Sequence, residues 1–408
     1  MKSWKLALLV LSVVSLGSII FMGYFCFDNK CALTGRTAAP VYKSDLDAYL
    51  AGSNNKHTFP EHHVDKDYDL HFEEEDVIVF LHIQKTGGST FGKHLVNLDT
   101  DPPCVCYKRQ GPSRKRHCDC ITRKRRIWLF SRFTTGWPCG VHADWTELTA
   151  CISSIMDKKE HMKRKRRYYY VTILRDPIKR YVSEYMHVRR GATWKTAHLM
   201  CNGREATLEE VPVCYEDVDW SDVSLDEFLE CPYNLAHDRQ TRMLANLSVV
   251  NCYNTTGMDK KVRDEKMLES AKANLLDMAF FGLTEYQKDT QFLFEHTFNL
   301  KFMGNFLQYN STSSKRARIS ERQKKQLIER NTNDILLYQF AKDLFIQRVK
   351  KAREETSALD QPTVVSVDNG GGDFEDVDNA KDNWKNYKHF QRNQDTDNTG
   401  HFSHQTKR

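Results

Sequence analysis

Residues 77–91 read Val-Ile-Val-Phe-Leu-His-Ile-Gln-Lys-Thr-Gly-Gly-Ser-Thr-Phe, and their order decides the fold class. The apolar, β-branched run 77–83 has the composition of a buried strand. Lys85 and the pair Gly87 and Gly88 follow at once, and Ser89 and Thr90 stand at a helix N-cap ahead of 91–98. Strand, glycine turn and helix N-terminus make an anion cradle. Glycine lets the backbone approach, free N–H groups point at a phosphate, and the lysine adds a mobile positive charge. The loop is not a Walker A sequence, in which the lysine follows the second glycine. Taken alone, the pattern also fits a plain βα turn with a surface lysine.

A second segment has the same logic. The apolar run 168–174 ends in Arg175-Asp176-Pro177, followed by Ile-Lys-Arg-Tyr-Val-Ser183. Asp176 is suited to cap a helix whose first position is Pro177. Ser183 comes seven residues after Asp176, near two helical turns, which returns it to the strand-end side. An arginine at a strand's carboxyl end and a hydroxyl on the next helix can grip one phosphate, at the edge where open α/β sheets bind ligands. The plainer reading is an Arg–Asp surface pair with a solvated serine.

Composition sets the organisation. Lys2 and Lys5 precede the uncharged apolar run 6–27, about the ~20 residues that a bilayer core requires. It is longer than the core of a cleaved signal peptide, for which Ala32, Ala38 and Ala39 are poorly placed. The expected layout is a cytosolic tail (1–5), a transmembrane signal-anchor (6–27), a polar lumenal stem (28–75), one α/β domain (76–352) and a tail (353–408) rich in Asp, Asn, Gly and Lys and expected to be disordered. Ser320-Glu-Arg-Gln323 is a capping box, and Leu337, Tyr338, Ala341, Leu344 and Phe345 form a helical apolar stripe.

Two features suit a lumenal domain. Asn246, Asn254 and Asn310 open glycosylation triplets. Ten cysteines lie between Cys104 and Cys252, and in an oxidising lumen such a cluster reads as disulfides, with roughly 945 complete pairings open. Cys104-Val-Cys106 and Cys118-Asp-Cys120 mimic halves of a zinc site, but their spacing is not the usual one, so no metal is expected.

Together the two motifs resemble the Golgi carbohydrate sulfotransferases: 82–91 their 5′-phosphosulfate loop, and 174–184 their 3′-phosphate motif. The likeness is closer to heparan sulfate 6-O-sulfotransferases. It extends through 128–137, 140–147, 187–196, 231–236, 280–285 and 306–312, spanning about residues 76–350. The resemblance implies a single P-loop-like sulfotransferase domain with a central, mostly parallel sheet flanked by helices. It implies sulfuryl transfer from 3′-phosphoadenosine 5′-phosphosulfate (PAPS) to the 6-hydroxyl of N-sulfoglucosamine in heparan sulfate. The chain would be a single-pass type II Golgi membrane enzyme that needs no metal.

Residue by residue, the resemblance puts donor contacts at His82, Ile83, Gln84, Lys85, Thr86, Gly87, Gly88, Ser89, Thr90, Arg175, Ser183, Leu307, Gln308, Tyr309, Ser313 and Ser314. Acceptor contacts fall at Arg116, His117, Arg132, Trp137, His142, His187 and Trp194. His142 matches the catalytic histidine, with Asp144 or Glu147 available to orient its ring, and Lys85 would neutralise charge on the leaving phosphate. His82 is the rival base, but it ends a buried strand and is expected to shape the loop. Departures fall at 313–318, Ser-Ser-Lys-Arg-Ala-Arg, and at Arg116-His117, which aligns with a lysine pair.

Net charge is +6, so any affinity for a polyanion has to be local. The basic runs 114–117, 123–126 and 163–167 are expected to surround the acceptor segment, or else to be solvated faces. A lumenal domain leaves nucleic acid out as a partner. Two other classes stay open: a sulfotransferase for another glycan position, such as a uronyl 2-O-sulfotransferase, whose loop typically lacks the glycine pair, and a non-catalytic heparan-binding membrane protein.

Overall fold

The computed structural model describes residues 57–108, 116–194, 197–216, 220–306 and 319–359. The apolar run 6–27 and the tail from 360 onward lie outside them. Among the described residues no helix is long and apolar enough to cross a membrane.

In chain order the elements are α1 (Glu61–Val64), β1 (Asp76–Phe80), α2 (Gly88–Leu95), β2 (Val105–Lys108), β3 (Arg116–Asp119), β4 (Leu129–Phe130), α3 (Trp145–Glu160), β5 (Arg167–Leu174) and α4 (Pro177–Val188). There follow β6 (Met200–Cys201), β7 (Arg204–Glu205), α5 (Leu225–Glu230), α6 (Arg239–Leu244), α7 (Lys260–Asp277), β8 (Phe280–Leu283), α8 (Gln287–Phe298), α9 (Glu321–Arg330) and α10 (Thr332–Leu359). The central sheet runs β4-β1-β5-β8 and is parallel throughout. Every residue of β1 is buried, as a strand covered by helices on both faces requires. The chain leaves β1 toward β4 on one side and leaves β5 toward β8 on the other. The crevice between the carboxyl ends of β1 and β5 is therefore the point where strand order reverses, the place for a ligand in such sheets.

Local signals behave mostly as read. Asp176 accepts from the Lys179 amide at 2.9 Å with Pro177 at the first helical position. Ser320 and Gln323 close their capping box, and Leu337, Ala341, Leu344 and Phe345 are buried. The start of α2 differs. Its cap is Gly87, at φ +82°, and Ser89 and Thr90 lie inside the first turn, because only the glycine enters the left-handed region without strain. Helix α10 runs to Leu359, with Ala352 buried.

Residues 57–75 are polar in composition yet lie against the domain. Phe59 meets Phe340 edge-on at 5.0 Å, Tyr68 meets Tyr169 at 5.1 Å, and Phe72 stacks on Trp128 at 4.7 Å. His57 Nδ1 lies 2.7 Å from Asp343 Oδ2. Isolated aromatics among polar residues give no periodic signal, which is why the sequence reads as a stem here.

All ten cysteines from 104 to 252 are paired: Cys104–Cys120, Cys106–Cys118, Cys139–Cys151, Cys201–Cys252 and Cys214–Cys231. The first two staple the β2–β3 hairpin, in which Cys106 stands directly opposite Cys118.

Candidate active site

The glycine loop 81–87 joins β1 to α2 at the carboxyl edge. Lys85 sits at φ 65°, a conformation that costs a non-glycine residue of order 1–3 kcal/mol and is retained where surroundings enforce it. Those surroundings are visible. Arg175 Nη1 donates to the Lys85 carbonyl at 3.0 Å, and the Thr284 hydroxyl lies 2.5 Å from the Thr86 carbonyl and 2.9 Å from that of Leu174. The ends of β5 and β8 thus hold the loop. Gly88 is required by a close approach: a Cβ there would stand 2.3 Å from His82 Cδ2. The Thr90 amide is taken by the Gly87 carbonyl at 2.9 Å, while Gly88 and Ser89 open the helix, where amides have no carbonyl one turn back.

Arg175 is buried. Its backbone amide and carbonyl are both held by the Gln240 side chain, at 2.9 Å each. Ser183 is partly exposed on α4, and no hydrogen bond joins it to Arg175. Burial, then Arg190 and Arg175, push the Lys85 ammonium below its ordinary pKa, opposed by Glu184.

His142 has φ 60° and follows Gly140 at φ 110°. Its Nδ1 lies 2.9 Å from the His82 carbonyl oxygen. A carbonyl only accepts, so Nδ1 carries the hydrogen and Nε2 keeps its lone pair. The expected orienting groups do otherwise. Asp144 caps α3 through the Glu147 amide at 3.0 Å and accepts from the Tyr253 hydroxyl at 3.0 Å. A Cβ on Gly140 would meet Glu147 Oε1 at 2.5 Å, so that carboxyl packs under the loop. Burial, with Arg239 and Arg132, pushes the His142 imidazole down to about 4, against a raising effect of the His82 carbonyl. The ring is therefore neutral near pH 7. Burial pushes Glu147 up to about 8, with help from Asp144.

His82 is buried between Phe80 (5.2 Å) and Trp137 (5.6 Å), with both ring pairs near parallel. Its ring Nδ1 finds no partner, and burial holds its pKa well below the usual value. Trp137 also packs 4.8 Å from the His142 ring. Arg132 donates to Ser89 Oγ at 2.9 Å with its guanidinium 5.7 Å from the Trp137 ring. The structure thus brings Lys85, Ser89, Arg132, Trp137, His82 and His142 together at one edge.

Other expected contacts stand apart or elsewhere. Trp194 packs edge-on to Trp220 at 4.7 Å within a second core cluster, with the Arg239 guanidinium 5.7 Å from its ring. His187, at the exposed end of α4, lies instead beside the cluster: burial, then the charges of Lys85 and Arg190, push its imidazole down to about 4. Arg116 and His117 begin β3, where His117 Nε2 lies 3.3 Å from Asp119. Leu307, Gln308, Tyr309, Asn310, Ser313 and Ser314 lie outside the described residues. Asn246 and Asn254 accept through Oδ1 from the Ser248 and Thr256 amides, at 3.1 and 2.8 Å.

The basic runs 123–126 and 163–167 do not surround this site. They lie at the amino edge of the sheet, where Arg167 pairs with Asp76 (2.6 Å) and Arg166 and Arg164 pair with Glu160 (2.9 and 2.8 Å). Spacing in the chain shows charge density but not which end of a strand bears it.

Sequence reasoning missed three supports. Glu184 is buried between Arg180 and Arg239, with Arg239 Nη2 2.6 Å from Glu184 Oε1. Gln240 fixes the Arg175 backbone, and Thr284 ties the loop to β5. Glu184 and Thr284 stand inside motif blocks, the available signal, whereas Arg239 and Gln240 fall just past one.

A family model described as Sulfotransferase family matches residues 68–341. Heparan-sulfate 6-O-sulfotransferase 1 of Homo sapiens is 52% identical over 350 residues, 84% of each chain. Heparan-sulfate 6-O-sulfotransferase 2 of Danio rerio is 51% identical over 329 residues, 79% of this chain and 69% of that one. Heparan-sulfate 6-O-sulfotransferase 1 of Mus musculus is 50% identical over 327 residues, 78% of each.

Proposed function

Because the chain belongs to the heparan-sulfate 6-O-sulfotransferases, we propose that it carries sulfuryl from PAPS to the 6-hydroxyl of N-sulfoglucosamine units in heparan sulfate, with His142 as general base. The observation that carries the reading is the His142 Nδ1 to His82 carbonyl bond. It fixes the tautomer, so that Nε2 of a neutral imidazole is available to a proton donor.

The loop suits the donor. A Gly88 without room for a Cβ and a left-handed Gly87 let the backbone approach a 5′-phosphate. The loop amides ahead of Thr90, with Lys85, hold that group, while Arg175 and Ser183 hold the 3′-phosphate. His142 Nε2 takes the acceptor's hydroxyl proton as its oxygen bonds to sulfur. The bond from sulfur to the phosphate oxygen breaks on the opposite side, and adenosine 3′,5′-bisphosphate leaves with the electron pair, balanced by Lys85. Catalysis is then positioning and charge stabilisation. Arg132 spans the loop and the Trp137 face, which offers a flat apolar surface to a sugar ring.

The same reading makes the chain a type II Golgi membrane protein with the domain lumenal. Its supports are Lys2 and Lys5 ahead of 6–27 and five disulfides, bonds that persist in oxidising compartments. Disaccharide analysis of heparan sulfate incubated with the enzyme and labelled donor tests the reaction: label on the glucosamine 6-position is expected, and label on uronate overturns it. Arg175→Ala tests the donor site. Loss of a charge-assisted phosphate contact should weaken adenosine 3′,5′-bisphosphate binding by about 30–150-fold in calorimetry.

A further inference from the structure

The cations at the amino edge of the sheet form a built surface. The turn 122–126, the end of α3 and residues 161–167 are knitted around 73–76. The Glu73 carboxylate accepts from the Arg123 and Lys124 amides at 2.8 and 3.3 Å. Arg126 donates to the Glu73 and Glu74 carbonyls at 2.7 and 2.5 Å, and Arg164 to that of Glu74 at 2.9 Å. Glu160 takes Arg164, Arg166 and the Ile127 amide, Asp157 takes Arg166 at 2.6 Å, and Asp101 takes Arg123 at 2.5 Å. These arginines therefore occupy Asp101, Asp157 and Glu160 and fix the frame.

Six cations are left pointing outward. Lys124, Arg125, Lys158, Lys159, Lys163 and Lys165 are exposed, and among the described residues none has an ion pair. The Glu73, Glu74 and Glu75 carboxylates at this edge also lack one, and that of Glu73 is already held by the Arg123 and Lys124 amides.

The surface is remote from the chemistry yet continuous with it. Strand β5 has eight residues, which puts its two ends about 25 Å apart. One flank joins the two edges. Residues 118–122 run antiparallel to 126–133, through Ile121 opposite Ile127, the Trp128 amide to the Cys120 carbonyl (3.2 Å) and the Cys118 amide to the Phe133 carbonyl (2.7 Å). Lys124 and Arg125 stand at one end of this ribbon. Arg116, His117, Arg132 and Trp137 stand at the other, toward His142.

We propose that this amino-edge surface is a second binding site for the sulfated polysaccharide itself, holding the part of the chain that lies beyond the sugar being sulfated. The inference rests on the functional reading above. A long polyanion seated at His142 can follow the β3–β4 flank to unpaired lysines, whereas a short oligosaccharide cannot reach them. The continuity of that flank with the acceptor side favours the polysaccharide over an anionic membrane surface.

The test is the full-length variant Lys124→Gln/Arg125→Gln/Lys163→Gln/Lys165→Gln. Exposed ion contacts each contribute little, and losing four of them together should lower the affinity for long heparan sulfate chains by about ten-fold. The apparent KM for them should rise in step, and the dependence on salt should flatten. Tetrasaccharide turnover and adenosine 3′,5′-bisphosphate affinity should stay at wild-type values. Unchanged affinity for long chains overturns the proposal. So does a variant that loses only its preference for anionic over neutral phospholipid vesicles, which would assign the surface to a membrane. If the four-fold variant melts early, Lys163→Gln/Lys165→Gln gives the same comparison with about half the effect. Equilibrium binding to long chains needs no turnover, so failure of the 6-O-transfer reading is seen separately.

Discussion

His142 illustrates how much a single backbone bond decides. A histidine whose Nδ1 donates to a carbonyl cannot change tautomer without losing that bond, so Nε2 is the atom left for proton transfer. His142→Ala should lower turnover on N-sulfated heparan at least ~100-fold while leaving adenosine 3′,5′-bisphosphate affinity unchanged. A packing role predicts the opposite pattern, a lower melting temperature with a modest loss of rate. The pH dependence sharpens the test. A base works when deprotonated, so kcat/KM falls as pH drops through the free enzyme's value, about 4 for His142, and not near the 6.5 of an ordinary histidine. In the donor complex, bound anions favour the imidazolium and should move the acid limb of kcat upward. A kcat/KM limb at 6.5 that His142→Ala leaves in place would assign the base elsewhere.

At the scale of the element, the loops are held in conformations their own sequences do not favour. Gly88→Ala sets a methyl against a His82 ring that is enclosed by Phe80 and Trp137. Overpacking of this kind costs about 1–3 kcal/mol. Because the His82 carbonyl holds His142, turnover should fall together with nucleotide affinity, and differential scanning calorimetry should show a lower melting temperature. The Cys139–Cys151 disulfide ties the Trp137–His142 loop to α3. Cys139→Ser/Cys151→Ser should lower turnover more than donor affinity, since the glycine loop lies on another element; equal losses would count against a positioning role. The local motifs were legible because strand, glycine turn, cap and capping box depend on neighbours within a few residues. The His142 to His82 bond was not, since its partners lie 60 residues apart, and near carboxylates at Asp144 and Glu147 looked like better candidates. Nor was the fate of 163–167, because Arg167 meets Asp76 and Arg164 the Glu74 carbonyl, both about 90 residues away in the chain.

For the whole molecule, burial of titratable groups sets how stability depends on pH. Burial pushes His94 and His142 down to about 4 and His237 to about 3, and holds His82 well below its usual value. In the unfolded chain these rings bind protons near pH 6.5. Between about 4 and 6.5 the unfolded state therefore holds more protons, and stability is lost as pH falls through that window. Buried carboxyls act in the other direction. Burial and Asp144 raise Glu147 to about 8, and burial with Asp334 pushes Asp238 up. The native state keeps these protons when the unfolded state has released them, so stability is lost as pH rises from about 4.5 toward 8. Burial also lowers His187 to about 4 and raises Asp144 and Glu285, so the lowered rings set the acid limb and the raised carboxyls the alkaline limb once the unfolded histidines are mostly neutral. The melting temperature should peak at about pH 6.5–7 and fall by several degrees toward pH 5 and pH 8.5. Two substitutions separate the limbs. His94→Gln, on a ring packed 4.2 Å from Phe306, should flatten the acid limb alone. Glu147→Gln should flatten the alkaline limb alone. A peak that neither variant moves would mean that these buried groups do not set the pH dependence of the fold.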